Sequence, residues 1–430
     1  MAPAPPLIVL DDDPTGAQAE AGVAVALDWD QGVLAKVAAK RPPAVHLLTN
    51  ARARTEDEAR SVTRAAATAA AEAFPGSRIV LRGDSTLRGH LLPEYLGLQE
   101  AVHPGRNPVL MLVPALPAAG RVTEGGVHFL ERDGVRTPLE RTEYARDPDF
   151  AYATARLLDW AEERSGGFFP ADAGREVLLG ELREKGPAAV AEALEDLSRR
   201  GAPAVLAVDS TTDADLELVA EGLRQAEEAG AEVEVRSAPA FVGVLSGAVA
   251  DRYQSPPTAS SALLVICGSH VPTSTRQLER LARRLPDSVV WVSPQQLAGA
   301  ERQQAISAAV ADALERLERS GIAVLATSRE FFENGNRLGS GARIASGMAA
   351  ILARLRDRVD VVVSKGGITS AVNVREGLEG GPIEVLGPVL DGVSLWSVQT
   401  PEREAMPFIV FPGNVGGDDE LADLVETICS

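Results

Sequence analysis

Short apolar runs alternate with alanine-rich amphipathic stretches along nearly the whole chain, and no other feature limits its fold as tightly. Leu7–Leu10, Val45–Leu48, Ile79–Leu81, Val109–Val113 and Val205–Val208 read as strands, and Thr55–Phe74 and Ala188–Arg200 as helices. Strands with no polar alternation need cover on both faces, and connections long enough to hold a helix place successive strands parallel. The expected class is therefore α/β, with each domain a mostly parallel sheet flanked by helices. Gly120–Glu140, rich in glycine and β-branched residues, interrupts the pattern and reads as a hairpin insertion.

At 430 residues the chain is long for one domain. The stretch QSPPTASS at Gln254–Ser261 has two prolines and no apolar periodicity, and it reads as the linker between domains at 1–253 and 262–430. Beyond it the alternation restarts. Leu263–Cys267, Val289–Val292, Val324–Ala326 and Val359–Val363 are expected as strands, with Gln295–Arg319 and Ala342–Arg356 as helices. Short extended runs follow over Pro382–Phe411, then a closing helix at Asp419–Cys429.

Forty-two basic against 61 acidic residues give a formal net charge of −19. Such a surface repels phosphate backbones and anionic lipid, so nucleic acid and membrane surfaces are not expected partners. A few cations in a cleft still suffice for a small anionic substrate, and a homodimer remains open. Cys267 and Cys429 are too few for a disulfide framework or a thiolate zinc site, and no secretion signal or spanning segment is evident, so a cytoplasmic location is expected. Only Lys36, Lys40, Lys185 and Lys365 are lysines, every other basic residue being arginine, so a lysine beside two glycines stands out.

In open α/β sheets ligands gather at the carboxyl ends of strands. The first strand runs into Asp11-Asp12-Asp13-Pro14-Thr15-Gly16, which reads either as a solvated turn or as a loop for sugar hydroxyls or a metal. The third runs into Arg82-Gly83-Asp84-Ser85-Thr86-Leu87-Arg88-Gly89-His90. Asp, Ser and Thr there suit a helix cap. The two flanking arginines suit a bidentate clamp for a carboxylate, with Asp84 placed to accept a hydroxyl proton. The loop Pro114–Arg121 adds Arg121 as a third arginine.

In the second half, Gly268-Ser269-His270-Val271-Pro272 opens a helix whose free N–H groups suit phosphate. Ser364-Lys365-Gly366-Gly367-Ile368-Thr369-Ser370 joins the rare lysine to two glycines and two hydroxyls, an arrangement that suits a polyphosphate and is not a Walker A motif. Pro412-Gly413-Asn414-Val415-Gly416-Gly417-Asp418-Asp419 reads equally as a helix cap and as an adenosine or Mg²⁺ site. Carboxylates and arginines in front, with glycine loops behind, point to an acid-sugar domain followed by a nucleotide domain. No GxGxxG follows the first strand, which counts against an NAD-dependent dehydrogenase, and no G-x-S-x-G elbow supports a hydrolase.

The motifs DDDPTGAQ, RGDSTLRGH, PALPAAGRVTEGG, VDSTTDADL, CGSHVPTSTRQL, KGGITSAV and FPGNVGGDDEL, in that order over almost the entire chain, resemble those of the four-carbon acid sugar kinases. The KGGITS and FPGNVG loops differ from those of many relatives and mark a subgroup. The resemblance implies an ATP-dependent kinase, with Mg²⁺, acting on the terminal hydroxyl of a tetronate or related sugar acid. It implies that Asp12, Asp13, Asp84, Ser85 and Arg88 face the acid. It also implies that Ser269, Gly366, Gly367, Thr369, Gly413 and Gly416 face the nucleotide.

In the expected mechanism Arg88, with Arg82 or Arg121, holds the substrate carboxylate. Asp84 or Asp12 orients the hydroxyl and takes its proton, and Lys365 offsets charge on the transferred phosphoryl group. The metal ligands are not readable from the residues. The competing reading is a non-catalytic protein that binds a sugar acid or nucleotide and regulates a partner.

Overall fold

The computed structural model describes residues 5–13, 16–132, 134–258, 262–268, 271–328 and 337–430, with 337–340 as backbone only. The chain forms two compact units, Met1–Gly16 with Asp28–Val249, and Ala17–Leu27 with Ala250–Ser430. The division differs from the expected one at 253. The second unit begins a few residues earlier, and Ala17–Leu27, read as part of the N-terminal domain, belongs to it.

The first unit is built on a parallel sheet. Strand β1 (Leu7–Asp11) is buried along its whole length. Strand β2 (Val23–Ala26) belongs to the second unit, and the chain returns through the helix Gln31–Lys40 to β3 (Ala44–Leu48), β4 (Ile79–Arg82) and β5 (Val109–Val113). The expected hairpin insertion is a separate antiparallel sheet of β6 (Arg121–Glu124), β7 (Val127–Arg132) and β8 (Val135–Pro138). Strands β9 (Arg175–Val177), β10 (Val205–Val208) and β11 (Val233–Ser237) complete the main sheet in the order β3-β1-β4-β11-β5-β10-β9. All its pairings are parallel.

Local chemistry sets the helices that cover this sheet. Thr55 and Glu58 form a reciprocal capping box at the start of Glu56–Ala73, whose buried Ala59, Thr63, Ala66, Ala67 and Ala70 recur at helical spacing. That small-residue face meets the helix Leu91–Val102 closely. A Cβ on Gly97 would lie 2.6 Å from the Arg60 carbonyl oxygen, so glycine is what permits the approach. Each fully buried Val or Leu in such a core contributes on the order of 1.5–3 kcal/mol.

The second unit repeats the plan. Strands β12 (Leu263–Cys267), β13 (Val289–Val292), β14 (Ile322–Thr327), β15 (Val361–Lys365), β16 (Ile383–Leu390), β17 (Val393–Val398) and β18 (Met406–Phe411) follow in sequence. Their order is β13-β14-β12-β15-β18-β17-β16-β2, parallel as far as β18 and antiparallel beyond. One apolar core joins Val265, Cys267, Val324, Val363 and Phe411 to Leu278 and Leu281 of the helix Pro272–Arg284, and to Leu421 and Val425 of the helix Glu420–Cys429. The helix expected over Gln295–Arg319 is two, Pro294–Ala298 and Arg302–Ser320, separated at Gly299. Of the expected linker, Gln254 is held by its N–H to the Pro388 carbonyl at 2.6 Å, and 259–261 lie outside the described residues. Among the described residues no helix is long and apolar enough to cross a membrane.

Candidate functional site

Strand β1 lies between β3 and β4, so the chain leaves it in one direction and later crosses to the other side. Such a reversal opens a crevice at the carboxyl ends of the strands. Asp11, Asp12 and Asp13 sit there, beside Arg82 at the end of β4 and Arg52 in the turn that follows β3. Thr49 holds that turn against β1, its N–H and hydroxyl each 2.9 Å from the Asp11 carbonyl oxygen.

The acidic and basic groups interlock. Arg82 Nη1 lies 3.0 Å from Asp11 Oδ1 and 3.2 Å from Asp12 Oδ1. Arg52 pairs with Asp13, with Asp84 at 3.3 Å and with Asp12 Oδ2 at 3.9 Å. Arg88 Nε donates to Asp84 Oδ2 at 2.7 Å, and its Nη1 lies 3.2 Å from Asp147. Asp12, Asp13, Arg82, Asp84 and Arg88 are thus brought together as the sequence suggested. The arginines expected to clamp a ligand carboxylate, Arg82 and Arg88, already hold protein carboxylates.

Two carboxyls of this cluster are pushed in opposite directions. Burial raises Asp12 to about 7, against the pull of Arg52 and Arg82, and its Oδ2 has no hydrogen-bond partner among the described residues. Asp84 is part-buried, but Arg52, Arg88 and the Thr86 hydroxyl outweigh its loss of water and bring it to about 2. A carboxyl near 7 is matched to proton transfer at neutral pH, whereas one near 2 is a fixed negative charge.

Arg121, at the start of β6, is differently placed. Its Nη2 is 3.5 Å from the Tyr144 hydroxyl, its buried Nε has no hydrogen-bond partner, and it forms no ion pair among the described residues. Arg88 stacks over the same Tyr144 ring, 5.4 Å from its centre. Ser85 is buried, and its carbonyl oxygen lies 2.9 Å from His128 Nε2. Burial lowers His128 to about 4, so the ring is neutral; it donates to Ser85 through Nε2 and accepts from Thr123 through Nδ1 at 2.8 Å.

Residues that the sequence did not single out complete the cluster. Arg236 on β11 bonds Glu94 at 2.6 Å, and a Cβ on Gly83 or on Gly89 would lie 2.8 Å from its Nη2. The glycine after each arginine of RGDSTLRGH therefore makes room for a third guanidinium. Arg236, Asp84, Arg88, Ser237 and Trp160 line a cavity of about 20 Å³, room for roughly one water. Trp160 Nε1 and Ser237 Oγ, both buried, have no hydrogen-bond partner among the described residues. Arg52 was findable, since it follows a strand's carboxyl end just as Asp12 and Asp84 do.

In the second unit, β12 lies between β14 and β15, which sets a second crevice at the loops after β12 and β15. The Gly366 N–H donates to the Phe411 carbonyl at 2.8 Å, and Ser274 donates to the Gly413 carbonyl at 2.8 Å. A Cβ on Gly268 would lie 3.1 Å from Thr369 Oγ1. The three predicted loops, with Gly366, Gly367, Thr369, Gly413, Asn414 and Gly416, therefore gather at adjoining strand ends. Gly366 has φ 112° and ψ 133°, which only glycine adopts without strain, and it brings no side chain to the first turn of Gly367–Val372. Ser269 and His270 lie outside the described residues.

Lys365, expected to offset charge on the transferred phosphoryl group, points into the core. Its side chain is fully buried, Nζ donating to the Pro412 carbonyl and lying 4.0 Å from the centre of the Phe411 ring. Burial lowers it to about 7, with Cys267 and Glu420 opposing. Glu420 was also missed. A Cβ on Gly416 would lie 2.2 Å from its Oε2, whereas Asp418 and Asp419 are engaged by Arg276 and Arg284 at 2.8 and 2.9 Å.

Two family models match the chain, a sugar-binding N-terminal domain over residues 7–245 and a nucleotide-binding C-terminal domain over residues 264–421. Among solved structures, the Haemophilus influenzae protein HI1011 of the DUF1537 family is similar at 18% identity, covering 98% of this chain and 100% of that one with a TM-score of 0.67. A Salmonella typhimurium LT2 protein described as a "putative tRNA synthase" is similar at 18% identity, covering 97% and 98% with a TM-score of 0.73. At that identity the likeness shows the fold alone. No curated protein matches the sequence.

Proposed function

Since the chain belongs to the family that pairs a sugar-binding N-terminal domain with a nucleotide-binding C-terminal domain, we propose that it is an ATP-dependent kinase for the terminal hydroxyl of a small sugar acid of the tetronate class. The observation that carries this reading is Asp12, a buried carboxyl near 7 with one oxygen that accepts no hydrogen bond among the described residues, set among cations at the strand ends of the first unit. A substrate hydroxyl supplies the missing partner and gives up its proton there. Arg52 and Arg82 hold Asp12 in place, and Asp84 anchors Arg52. Arg121, with no carboxylate of its own, takes the acid end of the substrate. The hydroxyl oxygen bonds to the terminal phosphorus of ATP, the bond from that phosphorus to the bridging oxygen breaks, and ADP leaves.

The glycine loops of the second unit fit a nucleotide. The first N–H groups of a helix have no intrahelical acceptor, and Gly366 leaves those of Gly367–Val372 without a side-chain cap. No group of three or more His, Cys, Asp or Glu suited to a metal ion occurs among the described residues. Mg²⁺ bound through phosphates needs only one or two protein carboxylates, and Glu420, which has no ion pair among the described residues, would serve beside the FPGNVG loop. In this reading Lys365 is a positioning residue that ties the KGGITS loop to the FPGNVG loop, the pair that sets the chain in its subgroup. The test is a coupled ADP-release assay over four-carbon and branched five-carbon sugar acids. Turnover on at least one member, lost in Asp12→Asn, is expected; no turnover on any member overturns the proposal.

A further inference from the structure

At the opposite ends of the same strands the first unit holds a larger cavity. It has a volume of about 420 Å³ and lies where β4 and β11 begin, against the end of the helix Leu91–Val102. Ile79, Leu98, Val102 and Val233 give it apolar walls. That is within the size range of small-molecule sites.

Its polar groups are not satisfied by one another. Glu234, on β11, is 1% exposed, and neither of its carboxyl oxygens has a hydrogen-bond partner among the described residues. Ser77 Oγ and His103 Nδ1, which also line the cavity, are buried and equally without partners. Tyr95 is no donor to Glu234, because its hydroxyl is spent on the Pro108 carbonyl at 3.0 Å. The charges around the rim are already matched. Arg78 pairs with Glu227, its Nε 3.1 Å from Oε1, and Arg106 pairs with Glu232. Burial lowers His103, so that ring is neutral. Glu234 is the one carboxyl of the set without a counter-charge, and burial holds it protonated, well above the carboxylate range.

Unsatisfied buried polar groups are rare in native folds, and four such atoms on residues that line one cavity call for a ligand. The ledger of charge decides its class. Each arginine has its own glutamate, so an anion finds nothing free, whereas a cation finds Glu234. We propose that this cavity binds a compact organic cation, an alkylammonium or guanidinium, with Glu234 as its counter-ion, Ser77 and His103 as further hydrogen-bond partners and the apolar walls around its carbon chain. This site is independent of the kinase reading.

Calorimetric titration of the full chain at pH 7 with n-butylammonium, agmatine and the neutral control 1-butanol tests it, run in two buffers of different ionisation enthalpy. Saturable one-to-one binding of an amine is expected, with no binding of butanol. The buffer dependence should show about one proton released per ligand, because Glu234 ionises when a cation arrives. Glu234→Gln should weaken binding at least about tenfold, the loss of a charge-assisted contact. Val102→Trp, which fills the cavity and leaves the carboxyl in place, should do the same and serves if the first variant does not fold. The proposal is overturned if no amine binds saturably, if butanol binds as well as butylammonium, or if a correctly folded variant binds like the wild type.

Discussion

The Lys365 ammonium lies 4.0 Å from the centre of the Phe411 ring, wholly inside the second unit, at the end of the strand that delivers Gly366. A charge so placed is stabilised by the ring and by the Pro412 carbonyl, and opposed by the loss of water. Burial wins and lowers the group to about 7. Between that value and 10.5 the unfolded chain binds a proton that the folded chain does not, so this lysine makes stability rise with pH there, by about 1.4 kcal/mol per unit. Below pH 7 both states are protonated and the dependence ends. Urea denaturation at pH 7.0 and 9.0 should show that increment in the wild type and not in Lys365→Met. Equal pH dependence in the two proteins would refute the assignment.

Arg121 is expected to read the carboxylate of the substrate. Arg121→Ala should raise KM for the acid about 10- to 100-fold, the loss of one charge-assisted bond of about 1.5–3 kcal/mol, with a smaller effect on kcat. The corresponding uncharged polyol should be turned over equally poorly by both proteins. A KM unchanged in the variant would assign the acid end elsewhere.

Activity should follow the Asp12 proton. The carboxyl accepts only when ionised, so kcat/KM should rise through about pH 7 and fall about tenfold per unit below it. Asp12→Asn should lower kcat by about 10²- to 10⁴-fold and remove that limb. Asp84, held near 2, stays ionised throughout, and Asp84→Asn should leave the limb in place. A limb that survives in Asp12→Asn and vanishes in Asp84→Asn would exchange the two roles.

Gly366→Ala places a side chain at φ 112°. The strain is about 1–3 kcal/mol, and the loop that would meet phosphate must shift to relieve it. Denaturation should report that loss, and titration with a non-hydrolysable ATP analogue should report weaker binding, with sugar-acid binding unaltered. Nucleotide binding at the wild-type level would remove this loop from the site.

How much of this was legible depended on whether polarity and burial agree. Leu7–Leu10 and Val109–Val113 are apolar because they are buried on both faces, and their runs name them as strands. Strand β11 alternates Val233 and Val235 with Glu234 and Arg236, a pattern that reads as exposed on one face, yet both charged residues are buried, Arg236 against Glu94. No local signal announces a partner so distant in sequence. Lys365 illustrates the same limit at the site. Its rarity drew attention to this loop, but its direction is decided by Phe411 and Pro412. Asp12 and Asp84 were read as alternatives for one role, while their separation into a carboxyl near 7 and one near 2 depends on burial, Arg52 and Arg88.

Strand β2 has a further consequence for how the protein is made. Val23 is paired with Val385, so this segment acquires that neighbour only after the long stretch of chain between them has been made. Until then the edge of these four apolar residues that meets β16 stays open, the condition in which nascent chains recruit chaperones or one another. A gene cut at the interdomain segment would separate the two halves of that pairing for good, leaving one fragment with an open strand edge and the other with a bare sheet margin.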